Sequence, residues 1–269
     1  MRALCARHSV TRSGFYSWRR RCRSAHDRHD ERLLARIHAI FDASNATYGS
    51  PRIHAALQKA GLRVARKRVA RLMQEAGLKA RSARIYRRTT GTRRFFLAIP
   101  NRVLSLETTA PDQIWVGDVT YLRSGSAWRY LAVVMDRHSR RILGWSLQRT
   151  RDLPLTLTAF NRAVHRRRPI DGLIFHSDRG PEYAAYAFRA RLAALSVVQS
   201  MKRPRELGDN AFIESFFHSM KADVIHGRTF DHDAQLRTAV DSYIRRYNRS
   251  RLHSGLGYRS PIDYERTAA

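Results

Sequence analysis

The sequence predicts a mixed five-stranded α/β sheet with helices on both faces, preceded by a helical region. Two observations lead to this prediction. Before residue 80 the apolar residues recur with the period of helices. After residue 111, three strand-like runs joined by short turns suit an antiparallel meander, and alternating helices and strands then complete a mixed sheet.

The α/β elements are read from apolar runs and the turns between them. Strands are predicted at about 114–121, 130–135, 141–148, 172–176 and 197–199. Helices are predicted at about 153–167, 181–195, from 209 onward and at 232–248, followed by an irregular tail. These elements make up a core of residues 111–269 with a C-terminal helix and tail.

Short helices are predicted for the first eighty residues. Residues 1–29 are predicted to be a short helical segment, with a short helix, a turn and a second short helix in residues 1–18 and a break in the pattern at Ser13-Gly14. Within a segment of residues 30–79, Ser50 is the predicted cap of a helix that has proline in its first turn. A further helix ends at Gly77, and the pair around a glycine-containing turn is a helix-turn-helix candidate.

The net charge points to a nucleic-acid partner. The chain has 51 Lys+Arg against 22 Asp+Glu, a formal net charge of +29. Residues 1–110 carry 25 basic and 6 acidic residues, whereas residues 111–269 carry 26 and 16. A chain this basic binds polyanions, so DNA is the predicted partner. The first half, which has the larger net positive charge, is predicted to contribute more to the electrostatic attraction. A membrane surface is the rival partner, but the sequence has no basic amphipathic helix with a broad aromatic apolar face.

The outward face of the second short helix carries a basic cluster. Its members are Arg66, Lys67, Arg68 and Arg71. They are candidates for DNA contact, and the alternative is a solvated basic helix on a bundle. Residues 80–110 are irregular and basic, and we interpret them as a linker that lies on DNA.

Cysteine content and hydropathy predict a cytoplasmic protein with no membrane partner. Only Cys5 and Cys22 occur, which is typical of a reducing compartment. The longest apolar run, Leu131 to Met135, is too short to cross a bilayer.

Three carboxylates occupy suggestive positions in the core. Asp118 lies in the first predicted strand, Asp178 just past the fourth, and Glu214 about one turn into a helix. If strands one and four are neighbours, the two aspartates meet at one sheet edge. Three converging carboxylates need cations, and Mg²⁺ or Mn²⁺ suits oxygen ligands. A pair of such ions about 3.5–4 Å apart can drive phosphodiester chemistry. The alternative is three unrelated surface carboxylates.

These motifs resemble a known family. The resemblance is carried by Trp115-Val116-Gly117-Asp118-Val119-Thr120-Tyr121, His176-Ser177-Asp178-Arg179-Gly180 and Asp209-Asn210-Ala211 through Glu214, with 35 residues between Asp178 and Glu214. It extends upstream through Tyr48-Gly49-Ser50-Pro51 and downstream through Leu256-Gly257-Tyr258-Arg259-Ser260-Pro261. The sequence resembles bacterial insertion-sequence transposases of the OrfB type, which have a DDE, retroviral-integrase-like catalytic core.

The resemblance implies a ribonuclease-H-like fold and a Mg²⁺-dependent DNA transposase. Such an enzyme cleaves element ends and joins 3′ hydroxyls to DNA, with Asp118, Asp178 and Glu214 as catalytic metal ligands. It also implies that Lys221, seven residues past Glu214, could hold a DNA phosphate. We expect a homo-oligomer on DNA, which could be fused to or paired with an upstream-frame helix-turn-helix protein.

One stretch departs from the family pattern. The loop at 202–208 has Arg205 and Gly208 where the family usually has a glycine and an aromatic residue. Lys202 and Arg203 of this basic loop are further candidates for DNA contact. Two alternative functions stay open from the sequence: a catalytically inert DNA-binding regulator of transposition, and a ribonuclease-H-type nuclease that only hydrolyses.

Overall fold

The computed structural model describes residues 5, 7–20, 25–80, 99–169, 171–203 and 210–268. The chain forms two compact units, Met1–Ala80 and Arg81–Ala269. No helix in these described ranges is both long and apolar enough to cross a bilayer.

The first unit is helical. Its helices are α1 (Arg12–Arg19), α2 (Ala25–Ala43), α3 (Ser50–Lys59) and α4 (Arg66–Glu75). Helices α2, α3 and α4 pack against one another. Each contributes apolar residues that are buried, namely Leu33, Ile37, Phe41, Ile53, Leu57, Val69, Leu72 and Met73. The helical region before the sheet is therefore confirmed.

Two details at the helix starts correct the sequence prediction. Helix α1 runs through Ser13-Gly14 without a break, because the Thr11 hydroxyl accepts a hydrogen bond from the Gly14 N–H at 3.0 Å and caps the helix. Ser50 is inside α3 and does not cap it; the cap position belongs to Gly49, with no side-chain hydrogen bond. Both helices therefore begin before the position that the sequence predicts.

The second unit contains the predicted mixed sheet of five strands. Its strands are β1 (Ile114–Ser124), β2 (Ala127–Asp136), β3 (Ile142–Gln148), β4 (Ile174–Ser177) and β5 (Val198–Met201). They lie in the order β3-β2-β1-β4-β5. The β1–β2 and β2–β3 pairs are antiparallel, whereas β1–β4 and β4–β5 are parallel. The strand β1 is therefore central and joins the two halves.

Helices cover both faces of the sheet. They are α5 (Leu153–Arg167), α6 (Pro181–Ala184), α7 (Tyr186–Ala193), α8 (Ala211–Met220), a π-helical turn (Lys221–Ile225), α9 (Asp233–Arg249), a 3₁₀ turn (Ser254–Leu256) and α10 (Pro261–Ala268). One apolar cluster joins the sheet to α5, α6 and α7, and a second joins it to α8 and α9. Opposite faces of β1 contribute to them: Trp115 belongs to the first cluster and Val116 to the second.

Two predicted helical features of this unit are wrong in detail. The helix predicted over 181–195 is broken at Ala185, whose extended backbone separates α6 from α7. The tail is not irregular throughout, because it ends in α10. Glu265 of α10 accepts hydrogen bonds from Ser139 at 2.8 Å and from Arg141 at 2.5 Å and pairs with Arg167, which anchors the helix to the core.

Candidate active site

The pairing of β1 with β4 brings Asp118 and Asp178 together. In the parallel register Gly117 lies opposite Ser177, and each aspartate is the next residue of its chain. Because neighbouring strands lie about 4.8 Å apart, the two residues leave the paired region side by side. Strands one and four are thus neighbours, which was the condition for the two aspartates to meet at one sheet edge.

Gly117 allows the close approach of β4 beside Asp118. A Cβ at this position would lie 2.5 Å from Cζ of Phe175, whose ring is fully buried. Any larger residue would push the ring or the strand away, so the tight fit depends on glycine.

Glu214 reaches the same region from the first turn of α8. The buried side chain of Asn210, at the helix cap, donates a hydrogen bond to the Gly117 carbonyl at 3.4 Å. Ile213 and Phe216 are buried in the apolar cluster, whereas the Glu214 side chain is about half exposed. The start of α8 is therefore tied to the residue that precedes Asp118.

The pKa values of Asp118 and Asp178 are both raised. Burial raises the pKa of Asp118 well above its usual value, and the nearby charges of Asp178 and Glu214 raise it further against a 2.7 Å hydrogen bond from the Val119 N–H. Burial and the neighbouring Glu182 also raise the pKa of Asp178, although its carboxylate accepts a hydrogen bond from Gly180 N–H at 3.0 Å. Burial is therefore the main reason why both aspartates resist ionisation.

Two basic side chains partly compensate the negative charge of the carboxylates. The Lys202 ammonium lies 3.3 Å from the Glu214 carboxylate. The Arg151 guanidinium donates a hydrogen bond to Glu182 at 2.8 Å and lies 3.7 Å from Asp178. Asp178 and Glu214 are thus each held near a basic side chain, and the charge of Arg151 also opposes the rise in the pKa of Asp118.

Arg151 and Glu182 were not predicted from the sequence. Glu182 is buried, with its side chain only 2% exposed. Its one local signal is a carboxylate next to the apolar Tyr183 just after the His-Ser-Asp-Arg-Gly motif. Arg151, which comes before the start of α5, carries no signal of its own because its partner lies 31 residues away.

The donor chemistry of the site fits a hard divalent cation. Asp118, Asp178 and Glu214 offer only oxygen atoms, which Mg²⁺ and Mn²⁺ prefer. Among the described side chains, however, no three of His, Cys, Asp or Glu stand close enough to hold one metal ion. Because Arg151 pairs with Asp178 and Lys202 pairs with Glu214, a metal ion would compete with these side chains for the carboxylate oxygens.

The other candidate DNA contacts fall into two groups. Arg66, Lys67 and Arg203 are exposed, and Lys221 lines a cavity together with Asp118 and Glu214. In the first unit, however, Arg68 and Arg71 both pair with Asp30 at 2.6 Å, and Arg71 also pairs with Glu75 at 2.9 Å. The departure at 202–208 lies largely outside the described residues, since 204–209 are not described.

Family models match both units of the chain. A model described as "Integrase core domain" matches residues 108–206, and a second with the same description matches residues 195–261. An "HTH-like domain" model matches residues 28–86. The match to the HTH-like model agrees with the helix-turn-helix that the sequence predicts.

Curated relatives show the family. The chain is 35% identical over 270 residues to the transposase InsF for insertion sequence IS3A of Escherichia coli K12, which covers 98% of this chain and 93% of that protein. The chain belongs to the IS3 family of insertion-sequence transposases. A second IS3-family match, though not over the whole chain, is the transposase for insertion sequence element IS904 of Lactococcus lactis, 36% identical over 172 residues, 63% of this chain and 68% of the relative.

Solved structures similar to this IS3-family transposase include retroviral integrases. The catalytic core of HTLV-2 integrase, in a complex with magnesium, is 18% identical with a TM-score of 0.45, and covers 58% of this chain and 97% of its own. A simian T-cell lymphotropic virus intasome, in complex with a PP2A regulatory subunit, is 14% identical with a TM-score of 0.49, and covers 79% and 70%.

Proposed function

We propose that this transposase cleaves the ends of an insertion sequence and joins the freed 3′ hydroxyls to phosphodiesters of a target DNA. Asp118, Asp178 and Glu214 would hold two Mg²⁺ ions for this reaction, and Mn²⁺ would substitute for them. The observation that carries the proposal is the β1–β4 pairing, which puts Asp118 and Asp178 at one edge of the sheet, with Glu214 lining the same cavity as Asp118. Membership of the IS3 family supports it.

The bound ions would supply activation of the attacking oxygen and stabilisation of the leaving oxygen. The protein's own residues prepare the site. The β1–β4 ladder fixes the two aspartates, and the hydrogen bond from Asn210 ties the start of α8, which carries Glu214, to Gly117. Lys202 and Arg151, which pair with Glu214 and Asp178, would hold DNA phosphates beside these carboxylates.

DNA binding is proposed for both units. Arg66 and Lys67 of α4 and Arg203 are exposed, and Lys221 lines a cavity with Asp118 and Glu214, so these cations are candidates for phosphate contacts. Arg68 and Arg71 would contact DNA only after release from Asp30. The protein would act in the cytoplasm as a homo-oligomer on DNA, fused to or paired with an upstream-frame helix-turn-helix protein.

A strand-transfer assay tests the proposal, with Mg²⁺ and DNA carrying the element's ends. We expect Asp178→Asn and Glu214→Gln to reduce joined products at least about a hundredfold, whereas Asp241→Asn, a partly exposed carboxylate of α9, leaves them unchanged. Full activity in Asp178→Asn or Glu214→Gln would refute the assignment of these residues.

The same assay separates the two alternative functions. An inert regulator would bind DNA without nicking it, and calorimetry would show no carboxylate-dependent uptake of Mn²⁺. A nuclease that only hydrolyses would give nicked DNA without joined products. The proposal requires joined products.

A further inference from the structure

Two aromatic side chains form an exposed pair on the β1–β2 hairpin. Tyr121 is 58% exposed and Trp128 is 48% exposed. Tyr121 lies opposite Tyr130 in the antiparallel register, so Trp128 is its diagonal neighbour, and the two rings meet edge to face with centroids 5.1 Å apart. Single exposed aromatic residues are common, but a contacting pair presents a continuous apolar surface that a partner can cover.

Two cations lie against these rings. The Arg123 guanidinium is 5.5 Å from the centre of the Trp128 ring, and Arg123 is its direct cross-strand partner. The Lys221 ammonium is 4.5 Å from the centre of the Tyr121 ring. Aromatic faces with adjacent cations are the combination that binds single-stranded nucleic acid, because bases stack on the rings while the cations hold phosphates.

The pair lines the same cavity as the carboxylates. This cavity has a volume of about 900 Å³, and Asp118, Glu214 and Lys221 contribute to its wall together with both aromatic residues. It is within the range of roughly 300–1,000 Å³ that is usual for ligand sites. The pairing of β1 with β4 ends at Gly117, so residues 118–124 of β1 extend beyond β4. Asp118 and Tyr121 therefore lie on the same unpaired edge of β1 and line the same cavity.

We propose that Tyr121 and Trp128 form a stacking site for an unpaired nucleobase of the DNA strand whose phosphodiester lies at Asp118 and Glu214. This inference rests on the proposed function, because it deepens the same site. The base must be unpaired, since both faces of a base inside a duplex are already covered by its neighbours. Arg123 and Lys221 hold the phosphates on either side of that base. The site therefore selects strand ends that are frayed or single-stranded next to the reacting phosphodiester.

The test measures the binding of two fluorescent probes to the full chain without a divalent metal. One probe is a 12-nucleotide oligothymidine with a central 2-aminopurine, and the other is a 20-base-pair duplex that contains the same modified base. We expect Tyr121→Ala and Trp128→Ala each to weaken binding of the single strand about five- to tenfold. We also expect them to abolish the quenching of 2-aminopurine on binding, and to leave the affinity for the duplex unchanged.

Two further variants serve as controls. Trp128→Phe keeps an aromatic face and should retain most of the affinity for the single strand. Tyr186→Ala removes a tyrosine that is 86% exposed outside this cavity and should change neither probe. Since all three positions are on the surface, the variants should melt like the wild type by circular dichroism.

The proposal is overturned if both alanine variants bind and quench the single-stranded probe like the wild type. It is also overturned if they lose affinity for the duplex and the single strand equally, because the aromatic residues would then not recognise an unpaired base. Failure of the proposed function is a separate outcome, because it would appear as a wild type that gives no joined products in the strand-transfer assay. Base stacking is measured by probe binding, which needs neither metal nor reaction.

Discussion

Arg151 donates a hydrogen bond at 2.8 Å to the Glu182 carboxylate, which is almost completely buried. Arg151 itself is 40% exposed, so the two partners differ in their access to water. The loss in the free energy of unfolding therefore depends on which of the two partners is replaced. A buried carboxylate that loses its counter-ion has no water to replace it, whereas the arginine does.

Replacement of Arg151 should destabilise the fold more than replacement of Glu182. We expect Arg151→Met to lower the free energy of unfolding by about 3 kcal/mol or more, because it leaves a buried charge unpaired. Glu182→Gln should cost less, and the double variant should recover part of the loss. Urea unfolding measures all three.

The exposed pair of Arg245 with Asp241 provides the control for that series. Its partners are 2.7 Å apart, but the arginine is 71% exposed. We expect Arg245→Met to change the free energy of unfolding by less than about 1 kcal/mol. An equal loss in Arg151→Met and Arg245→Met would contradict the importance of burial at Glu182.

Lys202 should weaken the affinity of the site for divalent cations. Its ammonium lies 3.3 Å from Glu214, where it competes with a metal ion for the same carboxylate. In Lys202→Met the dissociation constant for Mn²⁺ should fall roughly three- to tenfold, because one positive charge leaves the site. Calorimetric titration measures this, with Lys67→Met as a remote control. Weaker Mn²⁺ binding in Lys202→Met would show that the lysine organises the site instead of competing for it.

Asp30 should make the stability of the first unit depend on pH. Partial burial opposes ionisation of Asp30, but hydrogen bonds from Arg71 and Arg68 outweigh it and lower its pKa. Because the pKa is lower in the folded chain, the ionised group stabilises the fold above about pH 4, and this contribution is lost as the pH falls through the folded pKa.

The full chain with Asp30→Asn tests this dependence. Its free energy of unfolding should be below that of the wild type at pH 7, and the difference should shrink as the pH falls below about 4. Urea is the suitable denaturant because it does not screen ion pairs. Asp42→Asn, an exposed position of the same helix, should differ little from the wild type. A difference that does not vary with pH would exclude an ionic origin.

Any side chain at Gly117 should destabilise the fold. A Cβ there would lie 2.5 Å from Phe175, whereas nothing lies within 4 Å of a Cβ added at Gly255. We expect Gly117→Ala to lower the free energy of unfolding by about 1–3 kcal/mol through overpacking and to reduce strand transfer by moving β4. Gly255→Ala should change stability by less than about 0.5 kcal/mol. Equal stability of the two alanine variants would mean that the Phe175 ring can move aside.

Much of the core was predictable because its signals are local. Helix α5 begins and ends where the sequence predicts, and short turns mark the antiparallel strands. The sequence left the β1–β4 pairing as a condition, and the parallel register meets it. Membership of the transposase family agrees with the motifs that surround the three carboxylates.

The missed features depend on partners that are distant in the chain. Glu182 is buried only because Arg151, 31 residues earlier, meets it. Helix α10 is anchored by Glu265, whose partner Arg141 lies 124 residues away. At Ser13-Gly14 two local signals compete, and the Thr11 cap prevails over the glycine. Sequence periodicity contains no information on such long-range contacts.

The register of β1 with β4 also has a consequence for how this family can diversify. Asp118 and Asp178 follow directly on residues paired by a backbone ladder, and not on the loops that connect their strands. Insertions or deletions anywhere between the two strands can therefore leave the distance between the aspartates unchanged. A slip of a single residue in the ladder, in contrast, would move one aspartate by about 3.3 Å and turn it to the opposite face. Length is free to vary between these strands, but alignment within them is not.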